Sequence, residues 1–113
     1  VTAWVPDRGD VIWLDFSSHA GHEQAGRRPA LVLTPQSYNG KVGLALICPI
    51  TSRGKGYPFE VPLPAGLKTR GFVQADQVKS QDWKSRKTRR ADRVPGDFVA
   101  EVIARLDALL ALS

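Results

Sequence analysis

Between residues 10 and 94 the apolar runs are short and bounded by glycine, proline or charged turns, and helical spacing of apolar residues begins only beyond Pro95. A chain punctuated in this way must bury its apolar side chains on short strands rather than long helices. Val11-Ile12-Trp13-Leu14-Asp15-Phe16 reads as the first strand, starting near Asp10, and residues 30–34 as the second, ended by Pro35. Asn39-Gly40 is a strong tight-turn signal. It predicts an antiparallel partner over residues 42–50, an almost wholly apolar run suited to a central strand buried on both faces. Residues 57–63 and 71–80 read as further strands, and the stretch 84–93 as another that ends at Val94. Pro95 can serve as a first helical residue, and Asp97 favours the helix dipole. Phe98, Val102, Ile103, Leu106, Leu109 and Leu110 then recur at spacings of three and four, one broad apolar face for packing on a core. The expected fold is mainly β with a C-terminal helix: a small, strongly twisted barrel with the helix against one side.

With 113 residues the expectation is a single domain over 1–113, with one core. Apolar residues at 42% and charged residues at 24% predict a chain that folds without a partner. No run approaches the roughly 18 apolar residues of a membrane span, and residues 1–10 lack the layout of a secretion signal, so a cytoplasmic protein is expected. Cys48 is the only cysteine, which excludes an internal disulfide and reads as a small buried hydrophobe. The net charge of +5 is concentrated: Lys84, Arg86, Lys87, Arg89, Arg90 and Arg93 face only Asp92, leaving ten basic and ten acidic residues elsewhere. Such an excess attracts polyanions, nucleic acid first among them, and would then supply affinity; the alternative is a solvated strand or loop that only aids solubility.

The polar chemistry gathers where the second strand begins. Residues 23–29 place Glu23, Gln24, Gly26, Arg27 and Arg28 directly before an apolar run, and Pro29 biases Arg28 toward an extended backbone. A guanidinium held at a strand entrance suits phosphate, because its planar fork of donors matches two phosphate oxygens. At the far end of the central run stand the hydroxyls of Thr51 and Ser52, followed by the short basic loop Arg53-Gly54-Lys55-Gly56, which lacks P-loop spacing. His19 and His22 are three apart with no third ligand nearby, so neither a metal site nor a cofactor is expected. No glycine-flanked nucleophile marks a serine hydrolase. Cleavage of RNA fits better, since its own 2′-OH is the nucleophile and the protein need only supply a base, an acid and anion-binding donors. Arg28 is the candidate clamp and Thr51 or Ser52 the hydroxyl donor. Arginine stays protonated in proteins, which leaves Glu23 as the preferred base and His22 as its rival.

Four blocks carry a family resemblance: residues 5–16 (Val5-Pro6-Asp7 through Phe16), 23–33 (Glu23-Gln24-Ala25-Gly26 through Leu33), 55–61 (Lys55-Gly56-Tyr57-Pro58-Phe59-Glu60-Val61) and 76–80 (Asp76-Gln77-Val78-Lys79-Ser80). In this order they resemble the MazF/PemK toxin family across positions 4 to 83. The resemblance implies an SH3-like small β-barrel of the CcdB/PemK type and a homodimer. It also implies a metal-independent, ribosome-independent endoribonuclease cutting single-stranded RNA at short sequences. Products would carry a 2′,3′-cyclic phosphate and a 5′-OH. The family's catalytic arginine and threonine match Arg28 and Thr51, and Glu23 matches a loop carboxylate implicated in some members. Gln77, Lys79 and Ser80 fall in a block that contributes to the RNA groove, and Gln24, Arg27, Ser52 and Lys55 are expected beside it. The implied partner is a MazE-like antitoxin with a flexible acidic segment. The chain departs from the pattern at 84–93, where it is more basic. Two rivals remain: a CcdB-like gyrase poison, which shares the barrel but whose Trp-Gly-Ile ending is absent from residues 109–113, and a catalytically silent RNA-binding module.

Overall fold

The structure, a computed structural model, describes residues 4–16, 26–86 and 88–113. His19, His22, Glu23, Gln24 and Lys87 lie outside the described residues. Among the described residues seven strands form one antiparallel sheet: β1 (Asp10–Phe16), β2 (Gly26–Val32), β3 (Ala45–Thr51), β4 (Glu60–Pro62), β5 (Phe72–Gln74), β6 (Lys79–Gln81) and β7 (Arg89–Arg93). The path runs β4-β5-β3-β2-β1-β7, with β6 on the free half of β3. Helix α1 (Gln36–Val42) links β2 to β3, and α2 (Gly96–Leu110) closes the chain. No described helix is long and apolar enough to cross a membrane.

Both faces of this sheet are covered, which is why its central strands read as nearly continuous apolar runs. Val11, Leu31, Cys48, Ile50, Val61 and Val73 pack beneath Phe98, Val99 and Val102 of α2. Their neighbours in sequence, Ile12, Leu14, Ala30, Val32 and Ile47, pack on the opposite side with Phe16 and Trp83. The expectation of a mainly β fold with one C-terminal helix holds. Among the described residues β4 and β7 do not pair, so the hydrogen-bonded ring stays open at this seam. Asp92 of β7 bridges it, accepting from the backbone N–H groups of Lys68 (3.1 Å) and Thr69 (2.7 Å) and from Thr69 Oγ1 (2.6 Å). Burial raises the Asp92 carboxyl, but those hydrogen bonds outweigh it and hold the group below its ordinary range.

Several expectations about the elements are corrected, beginning with the stretch 84–93, of whose described residues only Arg89–Arg93 form a strand. Asn39-Gly40 is not a tight turn but part of α1, and the left-handed residue that ends the connection is Gly43, at φ +82°. The Asn39 side chain is fully buried: Nδ2 donates to Pro6 O (2.8 Å) and Thr34 O (2.9 Å), while Oδ1 accepts from Thr34 Oγ1 (2.6 Å). Its amide is spent on the tertiary fold rather than on a local turn. The stretch 71–80 is not one strand. β5 pairs with the end of β3 and β6 with its start, and the register slips by three residues across the intervening 3₁₀ turn, Ala75–Gln77. Pro95 caps α2 from outside it, and the apolar face of α2 is narrower than its spacing implies, for Ile103 and Leu110 are exposed. Cys48 is buried as expected; burial first, and the charge of Asp76 second, push its thiol up to about 12, which makes it inert.

Candidate active site

The register of the central strands decides which polar residues meet. β2 and β3 pair Ala30 with Pro49, and the same register carried two residues further sets Arg28 across from Thr51. Side chains alternate along strands, so both share the face of Ala30 and Pro49, beyond the point where the apolar filling ends. Lys79 reaches the same place from β6, where it pairs with Ile47, two residues before Pro49. Its Nζ stands 5.5 Å from the centroid of the Phe16 ring, a cation–π contact against the wall. Phe16, Arg28, Pro49, Thr51 and Lys79 line a cleft of about 560 Å³.

Arg28, Arg53, Lys55 and Lys79 bring four cations to this cleft against the carboxylates Glu60 and Asp76. Thr51 Oγ1 accepts from Arg53 N (3.2 Å) and donates to Arg53 O at 3.4 Å. The accepted bond orients the hydroxyl, and the long donated one is weak enough to be exchanged for a better acceptor. Glu60 is 9% exposed and sits under the basic loop, its Oε1 accepting from the backbone N–H groups of Lys55 (2.8 Å), Gly56 (2.9 Å) and Tyr57 (3.3 Å). One buried carboxylate thus holds residues 55–57 at the cleft.

Of the residues expected from the sequence, Arg28, Thr51, Ser52, Lys55, Gln77 and Lys79 come together here. Ser80 does not: it pairs with Leu46 and does not line this cleft. Arg27 lines a neighbouring cleft, and Glu23 and Gln24 lie outside the described residues. Sequence reasoning missed Glu60 and Gln74. Glu60 left one signal, a carboxylate between Phe59 and Val61 in an apolar strand. Gln74, opposite Glu60 on β5, left none.

The basic stretch divides into different roles. Arg86 Nη1 donates to Asp15 O (3.0 Å), and Arg93 Nη1 pairs with the buried Asp10 (2.7 Å), so both hold the fold together. Lys84 Nζ lies 5.6 Å from the centroid of the Trp83 ring. Arg89 and Arg90 are exposed.

Gly71 guards the position of Thr51. Its φ is +127°, and a Cβ there would stand 2.1 Å from Thr51 O. Gly71→Ala is therefore expected to destabilise the protein by roughly 1–3 kcal/mol from backbone strain, with the clash in addition. A lowered midpoint in urea unfolding is the check; an unchanged midpoint would show that β3 and β5 can separate freely here.

Residues 7–110 match the family model described as PemK-like, MazF-like toxin of type II toxin-antitoxin system. The chain is 44% identical over 110 residues to the Escherichia coli K12 endoribonuclease toxin MazF, covering 97% of this chain and 98% of that protein. A crystal structure of MazF from Deinococcus radiodurans superposes with a TM-score of 0.90 at 54% identity, over 97% of this chain and 100% of the other. A MazE-MazF crystal structure from the same organism gives 0.88 at 52% identity, over 97% and 100%.

Proposed function

Because the chain belongs to the PemK-like, MazF-like toxin family of type II toxin–antitoxin systems, we propose that it is an endoribonuclease toxin, acting as a homodimer on single-stranded RNA in the cytoplasm. It needs no metal, cofactor or ribosome, and a MazE-like antitoxin holds it in check. The observation that carries this reading is the strand register that faces Arg28 toward Thr51 over a cation-lined cleft. The MazE-MazF structures of a relative support the partner.

In this reading the scissile phosphate sits between the two residues. The 2′-OH attacks phosphorus as its proton passes to a base, the P–O5′ bond breaks, and the departing 5′ oxygen takes a proton. The products are a 2′,3′-cyclic phosphate and a 5′-OH. Arg28 clamps two non-bridging oxygens whose charge grows in the phosphorane, and Thr51 turns its proton from Arg53 O to the same charge. Lys55 and Lys79 hold neighbouring phosphates, while Ser52 and Gln77 offer donors to sugar or base. Gln24, Arg27 and Ser80 would contact RNA further out.

Purified protein incubated with mixed-sequence RNA in excess EDTA tests this reading. Fragments with cyclic phosphate and 5′-OH ends are expected; retention of RNA without cleavage would leave a binding module instead. Glu23 is the proposed base. Glu23→Gln should lower kcat far more than it weakens binding of an uncleavable RNA, whereas His22→Ala should change the rate less than about tenfold, near 1.4 kcal/mol. Should His22→Ala cripple the enzyme and erase an inflection near pH 6 to 7 in the rate profile, the two roles are reversed.

A further inference from the structure

A second cleft, of about 490 Å³, adjoins the first and shares Arg28 and Ser52 with it. Its origin lies in where the helix cover ends. Val11 and Leu31 are paired on β1 and β2 and buried in the cluster that α2 covers. Two residues further along the same face Trp13 pairs with Pro29 on one side and Arg89 on the other, and this pair of rings lines an open, half-buried floor. Arg27, Lys68, Arg70, Arg89 and Arg90 surround the floor, and the described residues lining the cleft include no carboxylate. The loop bearing Lys68 and Arg70 is pinned from behind, since Asp92 accepts the N–H groups of Lys68 and Thr69.

An aromatic floor inside a cationic rim matches the alternation of a nucleic-acid single strand, in which flat bases stack while phosphates face charge. An acidic peptide would engage the rim but leave the indole without a planar partner. The first cleft has the Thr51 hydroxyl and four cations against two carboxylates; the second has six cations, no carboxylate among its described lining residues and no Thr51. We propose that the second cleft is a subsite for RNA flanking the cut, with one base on Trp13 and the adjoining phosphates on the Arg89 and Arg90 side. This rests on the ribonuclease reading above. Arg28, common to both clefts, makes the flanking nucleotide contiguous with the scissile phosphate.

The test uses RNAs with one cut sequence extended stepwise on either side, cleaved by the wild-type protein and by the double variant Arg89→Gln/Arg90→Gln. Extension on one side should raise wild-type kcat/KM about tenfold or more, the scale of one stacked base. The double variant should lose that gain, and the salt slope of its RNA binding should fall by about 0.7 log units for each phosphate contact removed. Trp13→Phe should keep the gain, and Trp13→Leu, checked for native melting, should lose it. If the double variant keeps the full gain, or loses equally on the shortest and longest RNA, the subsite is refuted. If it binds long RNA normally but loses affinity for polyglutamate, the cleft serves an acidic protein partner and the proposal is wrong. If the wild-type protein cuts no RNA, the nuclease reading fails. Fluorescence anisotropy on the same RNAs then decides the cleft by itself: length-dependent binding lost in the double variant supports it, and length-independent binding refutes it.

Discussion

Replacing Arg28 with lysine is expected to lower kcat by about a hundredfold or more, and Arg28→Ala to abolish measurable cleavage. The lysine keeps the charge but offers a single point of it. The phosphorane carries its developing charge on oxygens spread in a plane, which a guanidinium fork meets at two points at once. Single-turnover rates are the readout, with binding of an uncleavable RNA as the control. A lysine variant with near-native kcat would remove the clamp role. Thr51→Ala belongs to the same experiment and should cost about 10- to 1,000-fold, the range for one donor to a developing oxyanion. Ser52→Ala is the comparison, since both hydroxyls line the cleft but only Thr51 shares the sheet face of Arg28. If Ser52→Ala is the damaging change, the donor has been assigned one residue early.

Replacing the single nucleotide 5′ to the cut by its 2′-deoxy form should stop cleavage altogether, because the nucleophile itself is removed. Binding should survive, since phosphates and base edges remain for Lys55, Lys79 and the rest of the basic lining. Cleavage of that substrate would mean that water attacks instead, and the roles of Arg28 and Thr51 would have to be drawn again around a different in-line geometry.

Much of the architecture was legible because it rests on local rules. The apolar runs of β1, β2 and β3 and the single helical period of α2 follow from side-chain spacing, which found each element but not its bounds: β2 starts at Gly26 and ends at Val32 rather than spanning 30–34, and β3 starts at Ala45 because Val42 still belongs to α1. Arg28, Thr51, Ser52 and Lys55 were legible because each sits at the end of a strand or in the loop beyond it, where polar chemistry can face solvent. Asn39-Gly40 misled because the same Asn side chain that favours a tight turn can satisfy buried backbone carbonyls 33 and 5 residues away, at Pro6 and Thr34. Nothing local distinguishes the two uses. The bend at Ala75–Gln77 was hidden for a related reason, since it exists only because β5 and β6 share one partner strand.

The sequence by itself determined the class of fold, the chemistry available and the candidate residues, because strand and helix periods, a charged loop ahead of an apolar run and a lone buried thiol are properties of neighbouring residues. Tertiary structure alone decided which of those residues face one another. Strand register put Arg28 and Thr51 on one face and turned Ser80 away, and it placed a glutamate under the basic loop to hold it. It also split one run of basic residues into Arg86 and Arg93, tied back to the fold, and Arg89 and Arg90, left at the rim. The physical reason is that pairing between distant strands is set by the joint burial of both sheet faces, a long-range sum that no window of neighbouring residues contains.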